Sequence, residues 1–410
     1  MMRRITRAGV LGLALAACSD RQTVTAPPVM PSAVVGGDHR ADDDSRENGS
    51  RGAVFAMTNH PSGNTIHVFS RGSDGSLTSA GTYATGGLGT GGGSDPLRSQ
   101  GSLILSERGV GSRDEDSDGR GNNSSGRRLL FAVNAGSNEI SVFAVHGTRL
   151  TLVDKTPSGG VRPTSLTLRR NLLYVLHAGS GTIDGFRVGR NGKLSPLAGS
   201  TRPITGSAAA DPAQVEFTPD GKLLVVTGKN TNVIDTYRID RGGRPSGPRQ
   251  NASHGMTPFG FAFHPRGNLV VSEAFGGAPQ QSAMSSYRIS RDGQLTVISG
   301  SVRDFQTASC WVVITDNGRY AYTSNTGSSS VSSYRIRSNG SLTLLESIAA
   351  TTDPGSAPID MALSTGSRYL YVLNGVVGTI DGYRVEEDGG LTAVGRAGGL
   401  PPYTQGIAAE

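Results

Sequence analysis

Leu129-Leu130-Phe131-Ala132-Val133-Asn134-Ala135-Gly136-Ser137-Asn138-Glu139-Ile140-Ser141-Val142-Phe143 decides the fold. An apolar run ends at Asn, a small polar turn follows, and a second strand alternates apolar and polar residues up to an aromatic. The period is two rather than 3.6, so these are strands and not helical turns. The pattern returns at Leu172 to His177, through Ala178-Gly179-Ser180-Gly181, to Ile183-Asp184-Gly185-Phe186. The closing aromatic recurs at Phe69, Phe143, Phe186, Tyr237, Tyr287, Tyr334 and Tyr383.

Apart from the first interval, which holds an insertion, these aromatics are about 43 to 51 residues apart, the spacing of four-stranded propeller blades. The prediction is an all-β, seven-bladed β-propeller over residues 53–410, with an insertion at 108–127 in blade two and a longer loop, Phe275 to Met284, in blade five. The 59 glycines among 410 residues suit short strands and tight turns. Most repeats open with an inner strand, such as Gln214-Val215-Glu216-Phe217. The first has none, whereas Gln405-Gly406-Ile407-Ala408-Ala409 is an inner strand with nothing after it. The expectation is that the C-terminal strand closes blade one and removes an exposed sheet edge.

Ahead of the repeats, Arg3, Arg4 and Arg7 precede an apolar stretch from Ala8 to Ala17 and then Cys18. The stretch is short of the roughly 20 residues a spanning helix needs, so residues 1–17 read as a secretory signal. Leu15-Ala16-Ala17-Cys18 resembles a bacterial lipobox, with Cys18 as the lipidated first residue of the mature protein. Residues 18–52, with their prolines and acidic run, read as the anchor cysteine and a disordered tether. The expected location is outside the cytoplasm, membrane-anchored as a lipoprotein on the periplasmic side or the cell surface. Removing Arg3, Arg4 and Arg7 brings the formal charge from +6 to +3. No basic stripe with interleaved aromatics appears, which argues against nucleic acid. Cys310 is the sole cysteine besides the anchor, so no internal disulfide is expected. A monomer is expected.

Inner strands of a propeller run one way, so one face of the channel carries both the starts of first strands and the ends of second strands. The second strands end at Asn59, Asn134, His177, Gly228, Glu273, Asn325 and Asn374. The first strands start around Arg162, Asp211 to Gln214, Pro258-Phe259-Gly260, Cys310-Trp311 and Pro358-Ile359-Asp360. Asn caps strand ends and starts turns, so repetition alone accounts for the asparagines. Glu273 and His177 break the pattern with ionisable groups, and a rim carboxylate could serve as a general base toward water.

The blade phrases Phe131-Ala132-Val133-Asn134-Ala135-Gly136-Ser137 and Phe217-Thr218-Pro219-Asp220-Gly221 resemble those of the seven-bladed lactonase family, which includes 6-phosphogluconolactonase-like and carboxymuconate-cyclase-like enzymes. The resemblance runs from Ala53 to the end of the chain. It implies a His at the start of a middle blade, an Arg-His pair at the next start, and a Glu where that blade's second strand ends. At those places stand Asp211 or Ala213, then Phe259-Gly260, then Glu273. An Arg would hold a carboxylate or phosphate bidentately, and Phe259 cannot. That argues against both substrates in the family's name, although Arg162, one blade earlier, could supply a positive charge.

Two functions remain open on these residues. One is hydrolysis of a lactone or related cyclic ester, with Glu273 catalytic and Asn134, Arg162, His177, Asp211, Gln214, Trp311, Asn325, Asp360 and Asn374 as candidate substrate contacts. The other is a non-catalytic cell-envelope propeller that binds a protein or glycan partner. No cofactor is required by either. Asp114-Glu115-Asp116-Ser117-Asp118-Gly119 has the start of a calcium loop, with Asp114, Asp116 and Asp118 as ligands, but Ser125 stands where the bidentate acid belongs.

Overall fold

The computed structural model describes residues 52–93, 95–106, 128–402 and 404–410. The signal, Cys18, the tether up to residue 51, the insertion at 108–127 and the candidate calcium ligands Asp114, Asp116 and Asp118 lie outside the described residues.

Seven antiparallel sheets follow one another around a ring. Blade two contains Leu103–Leu105, Leu129–Asn134, Glu139–His146 and Arg149–Pro157, in that order from the axis outward. Blades three to seven repeat the arrangement, with first strands Pro163–Arg169, Pro212–Phe217, Pro258–Phe263, Ser309–Ile314 and Pro358–Leu363. Blade three carries an extra two-residue strand, Arg202–Pro203, beside its third strand. In blade five the loop after Glu273 makes a short 3-10 turn, Phe275–Gly277.

Blade one is closed from the far end of the chain. Its inner strand is Ile407–Ala409, paired antiparallel with Gly52–Met57 in the register Val54↔Ala409, Phe55↔Ala408, Ala56↔Ile407. Amide bonds from Gln405 to the Met57 carbonyl and from Glu410 to the Ala53 carbonyl, both 2.9 Å, extend the pairing at each end. The sheet edge that blade one would otherwise expose is thereby satisfied.

The aromatics that mark the repeat sit on the third strands and are buried between blades. In the later blades their hydroxyls also bond across the blade boundary. Tyr237 donates to the Pro203 carbonyl at 2.9 Å, Tyr334 to Val302 at 3.0 Å and Tyr383 to Thr351 at 2.9 Å. Burying such a ring contributes about 1.5–3 kcal/mol, and the hydroxyl bond fixes which neighbour it packs on.

Candidate functional site at the channel mouth

The central channel is filled by the chain itself. Between the outer strand of blade one, Leu77–Ala84, and the first strand of blade two, residues Asp95 to Gly101 run through the ring and bond to several blades. Ser99 Oγ donates to the Thr164 carbonyl of blade three at 2.7 Å, and Gln100 N donates to Ala213 of blade four at 3.0 Å. The Ser99 carbonyl accepts from Trp311 Nε1 of blade six at 3.1 Å and from Gln405 Nε2 at 3.0 Å. Gln100 grips blade six through both ends of its amide, giving Nε2 to the Val312 carbonyl at 2.7 Å and taking the Val312 amide on Oε1 at 2.9 Å.

This plug explains one of the departures from the family's pattern. A Cβ on Gly260 would collide with the Gln100 amide oxygen and the Cys310 carbonyl, so no histidine fits where the resemblance places one. Phe259 packs instead against Trp311, with ring centroids 5.1 Å apart, and beneath the Lys229 ammonium, 4.6 Å from its centroid. Trp311 is fully buried. It supports the plug from below and presents no wall to a ligand.

The residues ending the second strands turn out to be braces. Asn134 Nδ2 donates to Ser141 Oγ at 2.8 Å while Oδ1 accepts from Thr85 Oγ1 at 2.7 Å and Asn64 Nδ2 at 3.1 Å. Asn325 bonds Ser309, Ser330 and Ser332, and Asn374 bonds Ser356, Thr379 and Asp381. His177 sets Nε2 3.0 Å from the Ser158 carbonyl and Nδ1 3.3 Å from Asp184 Oδ2. Asn134, His177 and Asn374 join their own third strands to the connection arriving from the preceding blade, and Asn325 joins its third strand to Ser309 at the start of the first strand.

Glu273 belongs to the same series. It has no exposed surface; Oε1 accepts from Gly255 N at 2.8 Å and Ser285 Oγ at 2.5 Å, and Oε2 from Ser301 Oγ at 2.6 Å. With three of about four acceptor sites taken by protein donors and no exposed surface, the carboxylate is closed off from bulk water. Its geometry differs from the water-activating role expected from the sequence: charge-assisted hydrogen bonds here hold blade five together. Gln214 is likewise committed, its amide bonded twice to the Phe261 backbone at 2.7 and 2.9 Å.

Asp360, in a left-handed conformation with φ 65, is buried at the start of blade seven. Its Oδ1 accepts from Met361 N at 3.0 Å, and the Ile407 amide of the closing strand also interacts with the carboxyl. Burial pushes its carboxyl up to about 8, helped by the charge of Asp95 in the plug. Burial also raises Asp95 to about 6, against the pull of Lys229 and Arg98.

Of the predicted contacts, Arg162 and Asp211 reach the mouth, where the plug supplies a third group. Arg98 Nη2 lies 2.9 Å from Asp211 Oδ2, and the Lys229 ammonium 3.5 Å from the same oxygen. Lys229 also donates to the Arg98 carbonyl at 2.5 Å, and Arg162 Nη2 to the Pro96 carbonyl at 3.4 Å. The result is a corner of three cations and one carboxylate over the plug, with the Arg98 and Asp211 side chains 27% and 18% exposed. The sequence reading missed Arg98 and Lys229. The available signal was the compact Asp95-Pro96-Leu97-Arg98-Ser99-Gln100 following a glycine-rich run. Among the described residues no cluster of three His, Cys, Asp or Glu side chains suited to a metal occurs.

A family model described as lactonase, seven-bladed beta-propeller matches residues 122–203, 171–274 and 272–358. No curated protein sequence matches the chain. Among solved structures, a Bacteroides fragilis protein with a provisional 6-phosphogluconolactonase assignment is similar at 19% identity and a TM-score of 0.65, covering 89% of this chain and 99% of its own. A Lactobacillus plantarum protein reaches 16% and 0.65, covering 87% and 99%. The periplasmic gluconolactonase of Pseudomonas aeruginosa reaches 16% and 0.59, covering 87% and 98%. At these identities the likeness is one of fold.

Proposed function

The chain belongs to the seven-bladed β-propeller lactonase family, and on that premise we propose that it hydrolyses a lactone at the mouth of its plugged channel. The observation that carries this reading is the corner formed by Arg98, Arg162, Lys229 and Asp211. The guanidinium groups of Arg98 and Arg162 are donors suited to the carbonyl oxygen of a lactone and to the negative charge that develops on it. Asp211 is the carboxylate at that corner, and its Oδ1 is the atom left to take a proton from water after Oδ2 has met Arg98 and Lys229. Water adds to the carbonyl carbon, the ring C–O bond breaks, and the proton held by Asp211 passes to the departing alkoxide. The product is a hydroxy acid whose new carboxylate pairs with the same guanidinium groups.

A panel of lactones assayed with wild type, Asp211→Asn and Arg162→Gln tests the assignment. Each substitution lowers kcat/KM by about a hundredfold or more if the group acts in the reaction. Folded wild type that turns over no member of the panel overturns it.

The buried, hydrogen-bonded Glu273 and the filled channel favour a second reading, a non-catalytic envelope propeller that binds a protein partner. Export and anchoring belong to both readings and rest on Arg3, Arg4, the apolar run and Cys18. Labelled palmitate incorporated by wild type and lost in Cys18→Ala is the expected outcome; labelling that persists in the variant removes Cys18 as the anchor.

A further inference from the structure

The two faces of the ring differ in charge. Turns joining first to second strands and third to fourth strands lie on the face away from the mouth, and they are charged: Arg190 and Lys193, Asp220 and Lys222, Asp240 with Arg241 and Arg244, Glu386 to Asp388. On the mouth face the charge is concentrated in the connections that arrive at the blades, among them Arg98, Arg162 and Asp211, and in Lys229, while most turns between second and third strands are uncharged. The turns at 135–138, 178–181, 274–282, 326–329 and 375–378 contain no ionisable residue.

Exposed apolar side chains gather on that same mouth face. Leu88, Val161, Met256, Phe305 and Val376 are all exposed, Phe305 to 56%. Three of them, Leu88, Val161 and Met256, sit at equivalent places in the repeat, where the connection arriving at one blade bonds the turn above it, and Val376 lies on the turn side of the same bond in blade seven. The carbonyls of Leu88, Val161 and Met256 accept from the amides of Gly136, Gly179 and Phe275, and Val376 N donates to the Ser356 carbonyl. They are spaced around the mouth, and Val161, the chain neighbour of Arg162, is the one that adjoins the cationic corner.

The polar groups that would read a sugar are consumed internally. Asn134, His177, Gln214, Asn325 and Asn374 are buried and bonded within the protein. A polyhydroxylated ring would meet few donors and acceptors outside the corner and would lose water without compensation, and a phosphate would compete with the lactone carbonyl for Arg98 and Arg162. We propose that the mouth takes a lactone carrying an apolar substituent, with the ring at Arg98, Arg162 and Asp211 and the chain lying over Val161. This inference rests on the hydrolytic reading of that corner and names its substrate class.

The test is a series of δ-lactones with 5-alkyl chains of increasing length, assayed beside gluconolactone and 6-phosphogluconolactone, with direct calorimetry of alkyl carboxylates of the same lengths. On a half-exposed rim kcat/KM rises about two- to fourfold per added methylene, gluconolactone and its phosphate are poor substrates, and Val161→Asn flattens the slope. Leu152→Asn, on the outer strand Arg149–Pro157, leaves it intact. Hydrolysis with no slope, or with a preference for the sugar lactones, overturns the substrate class and leaves the hydrolase standing. Carboxylate binding that tightens with chain length and weakens in Val161→Asn, without turnover of any lactone, sinks the hydrolase and keeps the apolar site. Neither turnover nor length-dependent binding overturns both.

Discussion

The Gln100 side chain pairs with the backbone of Val312, its amide closing a two-bond ring with the Val312 N–H and carbonyl. A residue between blades one and two thus supplies the inner strand of blade six with the partner that a neighbouring strand would provide. Gln214 does the same for Phe261 in blade five. Inner strands have one edge paired within their blade and one facing the axis, where backbone groups removed from water need partners. Here side chains and the plug meet that need, and the channel closes.

Removing the Gln100 amide should therefore cost stability across the ring. Gln100→Ala leaves two buried backbone groups of Val312 unsatisfied, a loss of about 1–3 kcal/mol for each group that water cannot reach. In thermal denaturation Tm falls by several degrees, and near-ultraviolet circular dichroism of Trp311, which bonds to Ser99, changes. A Tm equal to wild type would show that the plug does not brace blade six.

Loss of the closing strand should be more severe. Ile407–Ala409 carries three paired positions against Gly52–Met57, and without it blade one presents a bare edge at the ring's centre. Deletion of residues 405–410 also removes the Gln405 bonds to Leu97 and Ser99. The truncated protein is expected to be insoluble or to lose cooperative unfolding. A soluble, sharply melting truncation would mean that the ring closes without this strand.

The ring was legible in the sequence because repetition is. Seven aromatics, evenly spaced after the first interval, count the blades, and a first repeat without an inner strand matches the unpartnered inner-strand pattern at Gln405 to Ala409. The site was less legible for two physical reasons. Alignment of Asn134, Glu273 and Asn374 identifies the ends of second strands but not where their side chains turn, and they turn into the blade toward Ser141, Ser285 and Asp381. The plug is a single, non-repeated connection, so periodicity carries no information about Arg98, Ser99 or Gln100. Their partners on the blades and the closing segment lie 65 to 306 residues away in the chain.

Glu273→Gln separates a brace from a base. Three donors face this carboxylate; an amide NH2 clashes with the Gly255 N–H if set against it, and if turned toward Ser301 Oγ it exchanges a charge-assisted bond for a neutral one. Stability should fall by about 1–3 kcal/mol. The kcat of whatever lactone wild type hydrolyses should stay within about twofold at a temperature where the variant is fully folded, since a group that does not act in the chemistry leaves the barrier unmoved. A fall of a hundredfold or more in kcat with unchanged stability would return Glu273 to the chemistry.

The buried acids predict how stability depends on pH. In the folded protein Asp360 titrates at about 8 rather than its ordinary 3.8, so between those values the folded state keeps a proton that the unfolded chain has released. Stability is fully present below about pH 4 and declines as pH rises through the window toward 8. Asp95, raised from 3.8 to about 6, acts in the same direction over a narrower range. Asp360→Asn abolishes the Asp360 titration while retaining an oxygen for the Met361 amide. In denaturation curves the stability difference between variant and wild type should grow steadily from pH 5 to about pH 8 in the variant's favour and level off above it. Curves that run parallel from pH 5 to 8.5 would mean that Asp360 is ionised in the folded ring.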